Sequence, residues 1–250
     1  MSIAARTTTL AEIAPWRDLY RAEMGCQIIH DSLHFRDGWT QSFLLTVDGA
    51  PAGYGSIALA GPWKGKPTVF EFYVPPSWRS RAFALFEVLL AESGAVGIEA
   101  QSNDPLITVM THAYAKEVVS GAILFHDRIT TAHAAPGFSF RRTVENDAAA
   151  LPDDLKGVEW VIEGEGRIAG GGGVLFHYNR PYGDVYMNVL EPFRRRGLGA
   201  FLVQELKRAC YEGGSLPGAR CNTTNLASRK TLQKAGFVPC GHILVGRLAP

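Results

Sequence analysis

The residues best suited to chemistry lie in one stretch, Asp184 to Tyr211, reading DVYMNVLEPFRRRGLGAFLVQELKRACY. Gly197 and Gly199 stand where a strand over Asp184 to Glu191 gives way to an amphipathic helix. That helix carries apolar residues at Leu198, Phe201, Leu202, Leu206, Ala209 and Cys210, and Gly213 and Gly214 stop it. Glycines at a helix start leave backbone N–H groups uncovered, and the positive end of the helix dipole points the same way. Arg194, Arg195 and Arg196 add charge beside them. A strand, turn and helix of this kind suit a pyrophosphate; the plainer alternative is a solvated basic turn. A P-loop is excluded because Leu198-Gly199-Ala200 offers no Gly-Lys-Ser/Thr, and a dinucleotide fingerprint is excluded because its third glycine is Leu202.

A second block, Asn225 to Phe237 (NLASRKTLQKAGF), narrows the choice. Together, RxxGxG at Arg194 to Gly199 and NxxSxxxxxxxGF at Asn225 to Phe237 resemble the two cofactor motifs of the GNAT superfamily of acyl-CoA N-acyltransferases. The resemblance is close over the last part of the chain and fainter over the first half.

The resemblance implies direct transfer of an acyl group, most simply acetyl, from acetyl-CoA to an amine of a small molecule or peptide. It implies that Met187, Asn188 and Val189 lie along the pantetheine arm, and that the Val189 N–H stabilises the oxyanion. The amides of Arg195, Arg196, Gly197, Leu198, Gly199 and Ala200 would hold the pyrophosphate beside Arg194. Asn225 would hydrogen-bond the arm, with Ser228 one helical turn on and facing the same way. A lysine-like amine is neutral in only about one molecule in a few thousand at pH 7, so a base is useful. Asp184, ten residues before Arg194, sits where some members of the family carry a carboxylate. Its plainer role is a turn residue after Pro181-Tyr182-Gly183, and Glu191 reads as structural. One departure matters: the usual tyrosine acid, seven residues after the motif asparagine, is Leu232 here. Leucine donates no proton, which leaves water, another tyrosine (Tyr182, Tyr186 or Tyr211), or no acid; a thiolate with a pKa of about 8.5 is a tolerable leaving group without one. A non-catalytic acetyl-CoA sensor is therefore the second reading. A nucleotide-binding protein, indifferent to acetyl-CoA, is the third.

The elements that position these residues occur twice. DGAPAGYGSI at Asp48 to Ile57 parallels EGRIAGGGGV at Glu165 to Val174 with a constant offset of 117, and Phe72 to Ala91 parallels Met187 to Leu206 at 115. Val74 then matches Val189, Trp78 matches Phe193, Arg79 matches Arg194 and Arg81 matches Arg196, while Ala82 and Ala84 replace Gly197 and Gly199. A methyl group at each site covers the amides, so the first copy is expected to have lost its cofactor. Asn103 falls roughly at the place of the second motif. The fold class is α/β (α+β), with two tandem GNAT-like domains, each a mixed, largely antiparallel twisted sheet flanked by helices. Residues 1–137 form the degenerate copy and 138–250 the intact one, joined through the Pro- and Gly-containing stretch near Pro136 to Leu151. FSFRRTV is read as the second copy's first strand. Only a short helix fits between Thr143 and Glu159, so the acceptor cleft is open or completed by the first domain.

Leu10 to His34 reads as helical, which sets Cys26, His30 and His34 on one stripe. HxxxH with a cysteine suits zinc, but no fourth ligand or HExxH accompanies it, and no metal is expected. These side chains are read as lining a cleft or as hydrogen-bonded core edges. The glycine run Gly170 to Gly173 is read as entering a strand that another backbone or a ligand approaches closely. Trp16, Trp39 and Trp63 read as packing residues.

The 250 residues, 46% hydrophobic and 20% charged, carry a formal net charge of +1. The balance argues against nucleic acid as a partner and gives no hint of the acceptor's charge. No apolar run long enough for a membrane span and no signal-peptide core occur, and four cysteines without CxxC fit reduced thiols in a cytoplasmic protein. Two copies in one chain imitate a dimer, so a monomer or a homodimer is expected.

Overall fold

A computed structural model describes residues 2–145, 147 and 151–248. The chain divides into two compact units, one of residues 1–122 with 241–250, the other of residues 123–240. The composition shift had put the join at 137/138. The Pro- and Gly-containing stretch instead marks the turn into β7 (Phe138–Arg142). Two strands cross the boundary: β6 (Ala115–Asp127) leaves the first unit, and β12 (Phe237–Leu248) ends in it.

In the first unit the strand order is β1 (Ile3–Thr8), β2 (Thr40–Val47), β3 (Ala50–Ala58), β4 (Thr68–Tyr73), β5 (Gly97–Gln101), then β12. β12 joins through Ile243–Arg247, antiparallel to Gly97–Gln101. Helices α2 (Ala82–Ser93) and α3 (Pro105–Tyr114) cover one face, burying Leu85, Phe86, Leu89, Ile107 and Met110 against Phe43, Leu45, Phe72 and Ile98. Helix α1 (Leu10–Met24) covers the other through Ile13 and Tyr20, against Leu44, Tyr54 and Tyr73. The expected helix to His34 stops early because Gly25 closes α1 in the left-handed conformation (φ 53°); Ile29–Phe35 is a separate 3₁₀ segment.

The second unit orders β11 (Leu216–Asn222), β10 (Tyr182–Val189), β9 (Arg167–Leu175), β8 (Trp160–Gly164) and β7. Helix α4 (Leu198–Glu212) packs Leu198, Leu202, Val203 and Leu206 on Val174, Val185 and Val189, and α5 (Leu226–Lys234) follows β11. Of the stretch where a short helix was expected, residues 146 and 148–150 lie outside the described residues; Asp153–Leu155 is a 3₁₀ turn.

The repeat is visible in backbone detail. Asp48-Gly49 and Glu165-Gly166 both have positive φ at the two turn positions (47° and 79°; 55° and 70°), as a two-residue hairpin turn of the I′ kind requires. The register shifts between Leu45 and Thr46 in one copy and between Ile162 and Glu163 in the other, at matching positions. The glycine run is a packing device. A Cβ at Gly170 would stand 2.7 Å from the Asn188 carbonyl oxygen, and one at Gly172 would run into the Tyr186 carbonyl and the Leu206 side chain. Bare backbone there lets β10 and α4 close on β9. No described helix is long and apolar enough to cross a membrane.

Candidate active site: an open strand edge and an uncapped helix

β10 and β11 pair in parallel at only three positions, Tyr182 with Leu216, Gly183 with Pro217 and Asp184 with Gly218, and then separate. On its other edge β10 stays paired with β9 as far as Val189 opposite Gly170. The Leu190 N–H donates to the Ala169 carbonyl at 2.9 Å, which makes Val189–Gly170 a non-hydrogen-bonded pair. The Val189 N–H, both Met187 groups and the Val185 C=O therefore face the gap, while the Val189 C=O accepts from Arg194 Nε. A row of main-chain donors and acceptors lines its edge, as an extended ligand would need.

The gap opens into a cavity of about 280 Å3 lined in part by Asp184, Met187, Arg220, Ser228, Thr231 and Leu232. At the far end of β10 the chain makes a 3₁₀ turn, Glu191–Phe193, then passes Arg195 at φ 61° and Gly197 at φ 82° into α4. No side chain caps α4, so the Leu198, Gly199 and Ala200 amides have no helical acceptor. Gly199 borders the gap, since a Cβ there would lie 3.1 Å from both Met187 Cε and Thr231 Cγ2.

The first unit supplies the contrast. Arg79 Nε donates to the Val74 carbonyl at 3.1 Å, as Arg194 Nε donates to that of Val189 at 2.9 Å, so the two arginines latch equivalent turns. Beyond them the copies diverge. In the first, 3₁₀ helix continues from Pro76 to Arg81 straight into α2, and the Ala82 N–H is bonded to the Arg79 carbonyl. Ala82 has φ −56°, where its counterpart Gly197 has φ 82°. The methyl groups were expected to mask the amides. The backbone itself consumes them, because alanine disfavours the left-handed turn.

The side chains of the arginine run are placed differently from the expectation of a shared charge beside an anion. Arg194 latches the turn, and Arg196 pairs with Glu165 and lies over the Phe138 and Phe193 rings. Their backbone stays at the turn. Asn225 caps α5, its Oδ1 accepting from the Ser228 N–H at 3.0 Å, which leaves its Nδ2 donors for another acceptor.

Asp184 is a strand residue, not part of a turn, and sits 4% exposed where the gap opens. Two partners that the sequence did not single out hold it: the Tyr178 hydroxyl donates to Oδ2 at 3.3 Å, and Arg220 Nη2 lies 3.4 Å from the same oxygen. Arg220 also donates to the Tyr178 hydroxyl at 2.6 Å. No sequence signal marks this trio, which only the pairing of β10 with β11 brings together. Leu232 is 5% exposed and packed in the core beside the cavity. Of the three tyrosines considered as acids, Tyr186 lines the cavity, and burial raises its hydroxyl pKa. Tyr211 is held on Asp127 at 2.9 Å, where burial and that carboxylate push it up to about 12.

His30 and His34 do not share a site with Cys26. His30 Nε2 meets Glu99 Oε1 at 2.9 Å, His34 Nε2 meets Glu71 Oε2 at 2.8 Å, and the Cys26 sulfur accepts from Asn103. Among the described residues no group of three or more His, Cys, Asp or Glu side chains is placed to hold a metal.

Residues 128–237 match the model of the Acetyltransferase (GNAT) family. A GNAT acetyltransferase from Colwellia psychrerythraea superposes with a TM-score of 0.75 at 12% identity, covering 100% of both chains. A tandem GNAT protein from the clavulanic acid biosynthesis pathway superposes at 0.65 with 15% identity, over 100% of this chain and 99% of the other. A GCN5-related N-acetyltransferase from Sphaerobacter thermophilus gives 0.61 and 15%, over 99% and 96%. No curated protein sequence matches. Residues 128–237 thus match the model of the GNAT acetyltransferase family, which uses acyl-CoA as co-substrate, and the chain as a whole has the fold of these GNAT structures. The residues present fit an acyl-CoA: an unpaired strand edge for an extended amide-bearing arm, and open amides at a helix start for phosphate.

Proposed function

We propose that the protein is an N-acetyltransferase whose second unit binds acetyl-CoA and passes the acetyl group directly to an amine of a small molecule or peptide. The observation that carries this reading is the open edge of β10, with the Val189 N–H facing the gap and the uncapped start of α4 at its end. Acetyl-CoA supplies the thioester. The Val185, Met187 and Val189 backbones align its arm, assisted by the Nδ2 donors of Asn225 and the hydroxyl of Ser228. Amides from Arg195 to Ala200 receive the pyrophosphate. The Val189 N–H stabilises negative charge on the thioester oxygen. Asp184, oriented by Tyr178 and Arg220, draws the proton from the incoming ammonium. The buried position of Leu232 favours a second reading, in which the protein binds acetyl-CoA without turning it over.

Thiol release from acetyl-CoA in the presence of a panel of primary amines and amine-bearing peptides tests the proposal. Amine-dependent release supports transfer. Tight acetyl-CoA binding with no amine accelerating release supports the sensor.

A further inference from the structure

Where β6 begins beside β12, Glu117 stands at φ 54°, a left-handed conformation that residues other than glycine rarely hold. Its effect shows in how its neighbours point. A Cβ on Gly246 of β12 would meet Ala115 and Val118 together with Ile98, so those two β6 residues share the face packed by α2 and α3. Strict alternation would send residues three apart to opposite faces. The left-handed residue between them resets the alternation, as a β-bulge does, and turns Lys116, Glu117 and Val119 together to the other face.

There the three border an open cleft of about 880 Å3, within the range of small-molecule sites. All of its lining belongs to the first unit. Apolar surface lies open on its sheet side. Val119 is 60% exposed and Val245 36%, and Gly97, opposite Arg247, adds no side chain. Trp63, read from the sequence as a packing residue, stands at one wall, its Nε1 donating to Glu99 Oε2 at 3.0 Å.

The charges in the lining do not balance. Both carboxylates are engaged: Glu99 by Trp63 and by His30 at 2.9 Å, Glu117 by Arg247 at 3.0 Å. Lys66 and Lys116 are exposed and have no acidic partner among the described residues. A cation would meet two like charges and no free carboxylate, and a neutral ligand would use neither lysine.

We infer that the cleft binds a small organic anion: an acid group paired with Lys66 and Lys116, on an apolar or aromatic body lying against Val119, Val245 and Trp63. The flexible lysine stems bring their ammonium groups to one acid, and charge-assisted hydrogen bonds hold it. Covering the valines supplies the apolar part of the affinity. A backbone conformation that costs stability and turns a lysine and a valine into a cleft marks a place that function uses. The inference rests on first-unit residues alone and holds whether or not the second unit transfers acyl groups.

The test is a calorimetric titration of the full chain with phenylacetate at pH 7.5, beside the neutral 2-phenylethanol and the cation 2-phenylethylamine. Excess coenzyme A is present throughout, to keep the probes out of the second unit's gap. Phenylacetate is expected to bind at millimolar or lower concentration, and the other two at least tenfold more weakly. The double variant Lys66→Gln, Lys116→Gln changes exposed side chains only and is expected to weaken phenylacetate at least tenfold. Val119→Asp, which sets a negative charge in the apolar wall, is expected to abolish binding. Equal binding by either analogue, by the double variant or by Val119→Asp overturns the inference. So does no heat up to 10 millimolar phenylacetate, roughly the weak end of specific affinity.

Discussion

Gly197→Ala isolates the feature that separates the two copies. Gly197 sits at φ 82°, and a Cβ there meets nothing within 4 Å, so the substitution introduces backbone strain without a clash. A non-glycine residue in the left-handed region costs roughly 1–2 kcal/mol. The free turn is expected to relax toward the continuous 3₁₀ path of Pro76–Arg81, where the Ala82 amide is internally bonded, so that binding must restore the strained turn at a loss of roughly 5- to 30-fold in acetyl-CoA affinity, at 1.4 kcal/mol per tenfold. Calorimetric titration with acetyl-CoA reads the change directly. Gly213→Ala is the control, because Gly213 has φ −78° and its Cβ would make ordinary contacts of 3.4 and 3.5 Å. An affinity for Gly197→Ala within twofold of the native protein would refute the link between the left-handed turn and the cofactor.

Three further outcomes concern stability, each read by urea unfolding. Gly172→Ala is expected to destabilise by about 2 kcal/mol or more, because the new methyl meets the Tyr186 backbone and Leu206, neither of which yields cheaply. Glu71→Gln is expected to cost about 3–5 kcal/mol at neutral pH. Burial alone would raise the Glu71 pKa, but His34, Arg17 and the Tyr54 hydroxyl hold it down to about 2, and the substitution removes the buried carboxylate that all three share, leaving Arg17 with Asp31 alone at 2.7 Å. Since that pKa is depressed from 4.5, the stability Glu71 contributes is present above pH 4.5 and lost as pH falls toward 2. Asp104 runs the other way: raised from 3.8 to about 6, its contribution is present below pH 3.8 and lost as pH rises through 6. Asp104→Asn is therefore expected to be more stable than the native protein by about 3 kcal/mol at pH 7.5 and by about half that at pH 5. An unchanged difference between those pH values would contradict the burial of the carboxylate.

Elements set by local chemistry were legible in the sequence. The hairpin turns at Asp48-Gly49 and Glu165-Gly166 and the glycine-opened start of α4 follow from backbone preferences and helix periodicity, and the structure has them where the residues put them. The repeat was legible for the same reason, since an offset match between two hairpins survives when their chemistry does not. What depended on long-range pairing was hidden. Nothing local in β12 tells that Ile243–Arg247 pairs with β5 of the first unit. Arg220 became a partner of Asp184 only through the register of β10 on β11. The three arginines looked alike in sequence, yet Glu165 and the Val189 carbonyl claim two of them. The early end of α1 at Gly25 was available as a signal, and the long apolar and histidine stripe outweighed it.

By our proposal the second unit alone carries a working acyl-CoA site. A calorimetric titration of the full chain with acetyl-CoA, read for stoichiometry, decides this. One site per chain, lost in Gly199→Asp and kept in Ala84→Asp, is the predicted result. Two sites, or none in protein free of carried-over cofactor, would contradict it.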